Sequence, residues 1–161
     1  MNIFVIDENP VQAAKWLLDK HVVKMLLESC QIFCTNYHIQ GIEAPYKPSH
    51  INHPSTIWSR TSYDNFLWLL EHSYAISAEY TERYGRRHKS EDVLDWIESN
   101  MWQLSFDSND LTPFAIAISE DSICRTLTNF NQLSIVDKYR AYYKYDKKHI
   151  HQWKQNKPDW I

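Results

Sequence analysis

The segment Asp19–Ser29, DKHVVKMLLES, places an imidazole, an ammonium group and a carboxylate at helical spacing inside an apolar run. On a helical wheel at about 100° per residue, one arc of about 100° holds the polar residues Lys20, His21, Lys24, Glu28 and Gln31. His21 and Glu28 are two turns apart, so they point the same way, about 10 Å from each other along the axis. Apolar residues fill most of the remaining arc. This predicts a central helix whose polar stripe faces either solvent or a cavity.

Two interpretations of this polar stripe remain open from the sequence. Lys24 and Glu28 can be an ordinary i,i+4 ion pair on an exposed edge, which stabilises a helix by about 0.2–0.5 kcal/mol. Alternatively, a carboxylate beside cationic side chains in a partly dry cleft can stabilise an oxocarbenium-like or imine intermediate, while lysines hold a phosphate. Asp19 falls near the middle of the apolar arc. Because a buried carboxylate needs a partner, we expect Asp19 to serve as a structural cap or in an ion pair.

Periodicity and capping signals predict an all-α fold for this chain of 161 residues. With only two glycines, the sequence offers little for tight hairpins or phosphate-binding loops. The expected elements are a short extended segment, a long helix, a structured loop, a second long helix, a short helix and a last helix, which cover Asn2–Asp7, Pro10–Tyr37, Tyr46–Ile57, Thr61–Tyr84, Ser90–Glu98 and Ser134–Gln155. We expect residues 1–161 to form one compact domain of three to four main helices.

Charge and cysteine content narrow the class of protein. The formal net charge is −3 at pH 7, which counts against a nucleic-acid partner, because proteins that bind phosphate backbones usually carry a positive excess. The run YRAYYKYDKK, residues 139–148, counts in favour, although its tyrosines can equally be the packed face of the last helix. The cysteines number three, and the sequence has no signal peptide or long apolar span. We therefore expect a reduced, cytoplasmic protein with no membrane association.

The histidines and cysteines give only weak signals for a metal site. Cys30, Cys34 and His38 lie at i, i+4 and i+8, but one helix cannot surround a tetrahedral zinc ion, and a fourth ligand is missing. His50 and His53 have no carboxylate partner in their segment. We therefore expect core cysteines, and neither a metal nor another cofactor.

Five segments, taken in their order along the chain, resemble the phage pyrimidine-dimer DNA glycosylases of the endonuclease V type and their bacterial relatives. They are DKHVVKMLLE on the first helix, KPSHINHP in the loop, YDNFLWLLEHSYAISAEYTERYG on the second helix, IAIS before the last helix, and YRAYYKYDKK. The resemblance implies a compact all-α domain, located in the host cytoplasm if the protein is phage-encoded. It also implies a metal-independent reaction in which an N-terminal amine attacks C1′ of a damaged nucleotide, and β-elimination then cuts the strand.

Carried over by position, the resemblance makes Glu28 the catalytic carboxylate, His21 its neighbour, and the α-amine of Met1 the nucleophile. An α-amine, with an unperturbed pKa of about 8, is a better nucleophile at neutral pH than a lysine at about 10.4. The implied contacts with the substrate are Asn2, Lys24, Lys47, Asn52, His53, Arg60, Tyr142, Tyr143 and Lys144. Position 2 is Asn, so the amine is expected to belong to a retained Met1.

Three functions remain open from the sequence. The first is a DNA N-glycosidase, with or without AP-lyase activity, that acts on a damaged or modified base. The second is a hydrolase or transferase that acts on the glycosidic bond of free nucleotides. The third is a non-enzymatic module that binds nucleic acid or protein, in which Glu28 forms only an ion pair. DNA or a nucleotide is thus the expected partner, and the sequence leaves the oligomeric state unknown.

Overall fold

Helices make up the regular structure of the computed structural model, which describes residues 1–161 and contains no β-strand. This confirms the all-α prediction. Six α-helices form rather than three to four main ones, and they are α1 Pro10–Lys15, α2 Asp19–Ile39, α3 Pro54–Thr61, α4 Tyr63–Tyr84, α5 Glu91–Asn100 and α6 Ile135–Tyr145. None of them has the length and hydropathy needed to cross a membrane.

The long helix α2 lies at the centre of the fold, as the wheel predicts. It packs against α3, α4 and α5, while α1 packs along α4. Of its 21 residues 14 are buried. They belong to or adjoin one continuous cluster of 32 buried hydrophobic side chains, which draws on every helix.

The prediction of one helix over Pro10–Tyr37 is wrong, because the chain breaks between α1 and α2 at residues 16–18. Leu18, the residue before α2, has extended backbone dihedrals. The buried guanidinium of Arg83 on α4 donates hydrogen bonds to the carbonyls of Lys15 and Leu17. It also pairs with Asp19 at 2.9 Å, the ion pair expected for this carboxylate. Arg83 thus supplies the carbonyls at the break with partners that a continuous helix would otherwise provide.

The same cluster of charges holds the C-terminal segment against the start of α2. Glu79 pairs with Arg83 at 2.8 Å and accepts hydrogen bonds from the side-chain amides of Gln155 and Asn156. Asp19 accepts a hydrogen bond from the main chain of Lys154. The chain after α6 is therefore fixed to α2 and α4 by buried polar contacts.

Local capping explains the other element boundaries. The loop predicted over Tyr46–Ile57 ends at His53, because its Nδ1 caps α3 and Pro54 occupies the first helical position. Ser62 caps α4, and Gly85 ends it with a φ of 67°, as the sequence predicts. Ser134 caps α6, but this helix ends at Tyr145 rather than Gln155.

The end of α6, the N-terminal segment and α5 also differ from the sequence expectation. Asp146 follows α6 and uses its carboxylate to accept hydrogen bonds from the main chain of Ile123 and Cys124. The N-terminal segment forms no regular structure, and Phe4 has a φ of 56°, so the segment turns within the residues expected to be extended. The predicted helix over Ser90–Glu98 corresponds to α5, which continues to Asn100.

Replacing Arg83 with Met is expected to destabilise the protein by about 3–5 kcal/mol, because Asp19 and Glu79 would lose their buried cation. Chemical denaturation followed by circular dichroism measures this change. Arg87→Met is the matched control, since Arg87 is exposed and its ion pairs lie at the surface, so only a small change is expected. Equal effects of the two substitutions would contradict the role given to Arg83.

Replacing His72 with Leu is expected to stabilise the protein more at pH 5 than at pH 7.5. His72 is fully buried on α4, and neither of its ring nitrogens has a hydrogen-bond partner in the protein. Burial lowers the pKa of His72 to about 3. Between about pH 6.5 and 3 the unfolded chain therefore binds a proton that the folded protein does not bind, and stability falls as the pH falls.

The expected difference between the two pH values is about 2 kcal/mol, measured as the free energy of unfolding of both proteins at each pH. A gain of the same size at pH 5 and pH 7.5 would show that the protonation of His72 does not limit stability in acid.

Candidate active site

A cavity of about 250 Å³ opens over the polar stripe of α2. Its walls come from the N-terminal segment, from α2, from residues 117–119 and from the end of α6. The lining residues are Met1, Asn2, Phe4, His21, Lys24, Met25, Glu28, Ala117, Ser119, Tyr142 and Lys147. The polar stripe of α2 thus faces a cavity, one of the two environments predicted for it.

Glu28 lies at the base of this cavity and is only 7% exposed. Its Oε2 accepts a hydrogen bond of 3.0 Å from the main-chain N–H of Asn2 and lies 3.8 Å from the α-amine of Met1. Its Oε1 lies 3.2 Å from Nζ of Lys24. Glu28 therefore does not form an ordinary exposed ion pair. It is largely buried, and it contacts both Lys24 and the N-terminus of the chain.

The N-terminal segment folds back onto α2 through its own hydrogen bonds. The Asn2 side chain donates to the carbonyl of Ala117 at 2.7 Å and accepts from the N–H of Phe4 at 2.9 Å. The amide of Asn2 is therefore engaged within the protein and positions the terminus, and Asn2, which the sequence predicts as a substrate contact, lines the cavity. The Met1 side chain is 2% exposed, with its sulfur accepting from Thr56. The accessible part of Met1 thus belongs to its main chain.

His21 is fixed by aromatic contacts and by one hydrogen bond. Its ring stacks on Phe4 with centroids 4.1 Å apart, and its Nδ1 lies 2.5 Å from the hydroxyl of Tyr143. The hydroxyl of Tyr143 is fully buried and has no other hydrogen-bond partner. Because a buried donor without an acceptor is costly, the Tyr143 hydroxyl donates its proton to Nδ1 of His21. The proton of a neutral His21 ring therefore resides on Nε2.

The charge state of His21 follows from the same environment. Burial, together with the positive charges of Lys147 and Lys24, lowers the pKa of His21 to about 3. At neutral pH the ring is an uncharged donor at Nε2, and His21 lines the cavity. In this state it can polarise an oxygen or a ring nitrogen of a bound molecule by hydrogen bonding.

The end of α6 provides the aromatic and cationic side of the cavity. Tyr142 lines it, and Nζ of Lys147 lies 4.5 Å from the centre of the Tyr142 ring. Tyr143, also expected as a substrate contact, is fully buried behind His21, positions that ring and does not line the cavity. Lys144 is exposed and lies outside the lining.

The sequence did not point to Lys147. A helix continued to Gln155 would place Lys147 about 140° from Tyr142 around the axis. In the structure the helix has ended, and the N–H of Lys147 bonds to the carbonyl of Tyr142. The chain therefore turns back, and Lys147 reaches the ring of Tyr142.

Among the expected residues of the loop before α3, His53 lies near the Met1 amine, although it does not line the cavity. The pKa of His53 is lowered by burial, by the positive Met1 amine and by His50, against the opposing effects of Glu28 and of a hydrogen bond with the Met1 main chain. His53 is thus a neighbour of the amine. Lys47 and Asn52 are exposed on this loop. Arg60 donates to the Ile51 carbonyl at 2.8 Å and lines a separate cleft between the ends of α2 and α3.

The cavity does not include Cys30, Cys34 and His38, for which the sequence gives only a weak zinc signal. Cys30 and Cys34 are free and buried, and burial raises the pKa of both thiols. The His38 ring bonds to the carbonyl of Tyr46. No group of three or more His, Cys, Asp or Glu side chains is arranged to hold a metal ion.

Comparison of the chain with protein-family models, with curated proteins and with solved structures finds no match.

Replacing Tyr143 with Phe is expected to change the protonation pattern of the His21 ring, because Nδ1 loses its hydrogen-bond donor. Long-range proton–nitrogen NMR on the labelled protein reads the tautomer directly, and His21→Gln identifies the signals. At pH 7 the wild-type ring is expected to be neutral with its proton on Nε2. In the variant the form with the proton on Nδ1 becomes populated.

Tyr142→Phe is the matched control, since its hydroxyl does not bond to His21, and this variant should keep the wild-type tautomer. A wild-type ring that is cationic at pH 7, or a Tyr143→Phe ring that still carries its proton only on Nε2, would contradict the arrangement.

Proposed function

We propose that this protein is a DNA N-glycosidase with AP-lyase activity that acts on a damaged or modified base through the α-amine of Met1 and Glu28. One observation carries the proposal. The Met1 amine and the Glu28 carboxylate, 3.8 Å apart, share one cavity although no sequence proximity links them. A paired amine and carboxylate in a partly dry cavity is what imine chemistry at a sugar carbon needs.

In the proposed reaction the neutral amine of Met1 attacks C1′ of an extruded nucleotide. The bond from C1′ to the base breaks as the new carbon–nitrogen bond forms. The amine loses one proton to the departing base. The bond from C1′ to the ring oxygen then breaks as a C1′=N double bond forms, the second amine proton passes to that oxygen, and an open-chain imine is left. Removal of a proton from C2′ then breaks the C3′–O bond and releases the 3′-phosphate, and water hydrolyses the imine.

The residues around the cavity have distinct roles in this proposal. Oε2 of Glu28 faces the amine, where it can accept and return its proton and oppose the positive charge that develops at C1′. His21 offers its Nε2 proton to the departing base or the ring oxygen. Lys24 and Lys147, whose positive charges act on His21, lie where they can hold the phosphates that flank the nucleotide.

A free nucleotide is the second candidate substrate, and the net charge of −3 favours it, because a mononucleotide needs no extended basic surface. The cavity of about 250 Å³ has lysines in its lining. A mononucleotide would present its phosphate to these lysines and its glycosidic bond to Glu28. The two candidates differ in whether a DNA strand is needed for turnover.

Borohydride trapping on a duplex with a single abasic site tests the amine chemistry without knowledge of the base that is recognised. The aldehyde at C1′ of such a site condenses with the amine, and reduction makes the adduct permanent. The adduct is expected to map to the peptide that carries Met1, and an intact-mass measurement shows which amine is free. Glu28→Gln is expected to lower the trapping rate about 100-fold or more.

Glu71→Gln is the matched control, because Glu71 is exposed on α4 and does not line the cavity. An adduct on an internal lysine, or trapping that is unaffected by Glu28→Gln, would overturn the proposed mechanism. Release of a base from mononucleotides, with no adduct on DNA, would select the second candidate.

A further inference from the structure

A second basic concavity lies beside α2, outside the cavity that holds Glu28. It measures about 290 Å³ and is lined by Tyr80, Arg86, Arg87, His88 and Lys89. The Tyr80 hydroxyl accepts a hydrogen bond from Nε of Arg86, and the edge of the His88 ring packs on Tyr80. The basic loop, residues 86–89, is therefore held in place on an aromatic floor.

The cations of this basic loop are not equivalent. Arg87 is neutralised by ion pairs with three carboxylates at the start of α5, which are Glu91, Asp92 and Asp95. Arg86 and Lys89 are exposed and have no carboxylate within ion-pair distance. These two side chains keep their full charge for an external anion.

The basic loop adjoins the exposed edge of α2 that leads to Glu28. The His88 ring bonds to the carbonyl of Val23 at 2.9 Å, one residue before Lys24. Lys20, one turn earlier on α2, is exposed and has no ion pair, and the nearby Nζ of Lys154 lies over the Tyr84 ring at 5.2 Å. Cations without a carboxylate partner, Lys20 and Lys154, therefore lie between the edge of the Glu28 cavity and the basic loop.

Charge is unevenly distributed along the chain. Residues 91–121 contain eight Asp and Glu and no Lys or Arg, whereas residues 138–157 contain seven Lys and Arg and one Asp. The net charge of −3 is therefore the sum of an acidic and a basic part, and it does not count against a local basic surface.

We propose that Arg86 and Lys89, with Lys20 and Lys154, contact the phosphate backbone of the DNA that enters the Glu28 cavity. This inference rests on the proposed function, since it takes DNA as the substrate. A phosphodiester backbone is the occupant that continuity with the cavity favours, because its negative charges repeat along the strand and can meet cations beyond the cavity as well as within it. The contacts are with phosphates, so they add affinity without base preference.

Fluorescence anisotropy with a labelled duplex that carries a stable abasic-site analogue tests this proposal across a range of NaCl concentrations. For Arg86→Ala/Lys89→Ala, the slope of log K against log salt is expected to be shallower than wild type by about two, and binding near 100 mM salt at least about tenfold weaker. At saturating protein, the trapping rate on abasic DNA is expected to stay at the wild-type value.

Lys15→Ala/Lys138→Ala is the control of equal charge, because these lysines line neither the Glu28 cavity nor the basic concavity. It is expected to change the slope by less than one. Lys89→Ala alone, at an exposed position, gives a second variant whose folding is not in question and whose slope should change by about one.

The outcomes separate this inference from the proposed function. A slope for Arg86→Ala/Lys89→Ala equal to that of wild type or of the control overturns the backbone contact, while adduct formation at Met1 leaves the proposed function standing. Absence of salt-dependent binding to DNA by the wild-type protein overturns both. A lower trapping rate at saturation would assign these residues to chemistry and would likewise contradict the proposal.

Discussion

The buried ion pair between Arg83 and Asp19 is the interaction on which the arrangement of the site depends. Arg83 ends α1 by binding the carbonyls of Lys15 and Leu17, and it fixes the first residue of α2 through Asp19. Because every residue of a helix is turned about 100° from the one before it, fixing the first residue fixes the direction of all that follow. His21 and Glu28 face the cavity for this reason. A buried charge is tolerated only with its partners in place, so this start of α2 has little freedom to shift.

The N-terminal segment supplies the other half of the site, and it does so in a strained conformation. Phe4 has a φ of 56°, which non-glycine residues rarely adopt. The turn is maintained by the side chain of Asn2, which bonds to the N–H of Phe4 and to the carbonyl of Ala117, and by the stacking of Phe4 on His21. The same turn brings the N–H of Asn2 and the Met1 amine to one oxygen of Glu28. Local strain is thus offset by contacts that converge on the carboxylate.

The sequence predicts what is local and misses what depends on distant partners. Periodicity and caps identify α2, α4 and the polar stripe, since these follow from neighbouring residues. The break before α2 depends on Arg83, which is 64 residues from Asp19, and the end of α6 follows Asp146, which bonds to residues 22 and 23 positions earlier. Lys147 was missed because that helix end was missed. The net charge is equally uninformative about the site, because a sum over the chain contains no information about where the charges lie.

Two amines lie near Glu28, and their intrinsic basicity decides which one suits the proposed chemistry. The Met1 amine is 3.8 Å from Oε2, and Nζ of Lys24 is 3.2 Å from Oε1, so the carboxylate acts on both. An unperturbed α-amine has a pKa of about 8 and a lysine one of about 10.4. The Lys24 side chain is also 66% exposed, whereas the Met1 side chain is 2% exposed and holds its amine in place. In the proposed reaction Met1 is therefore the nucleophile, and Lys24 remains a cation that holds phosphate.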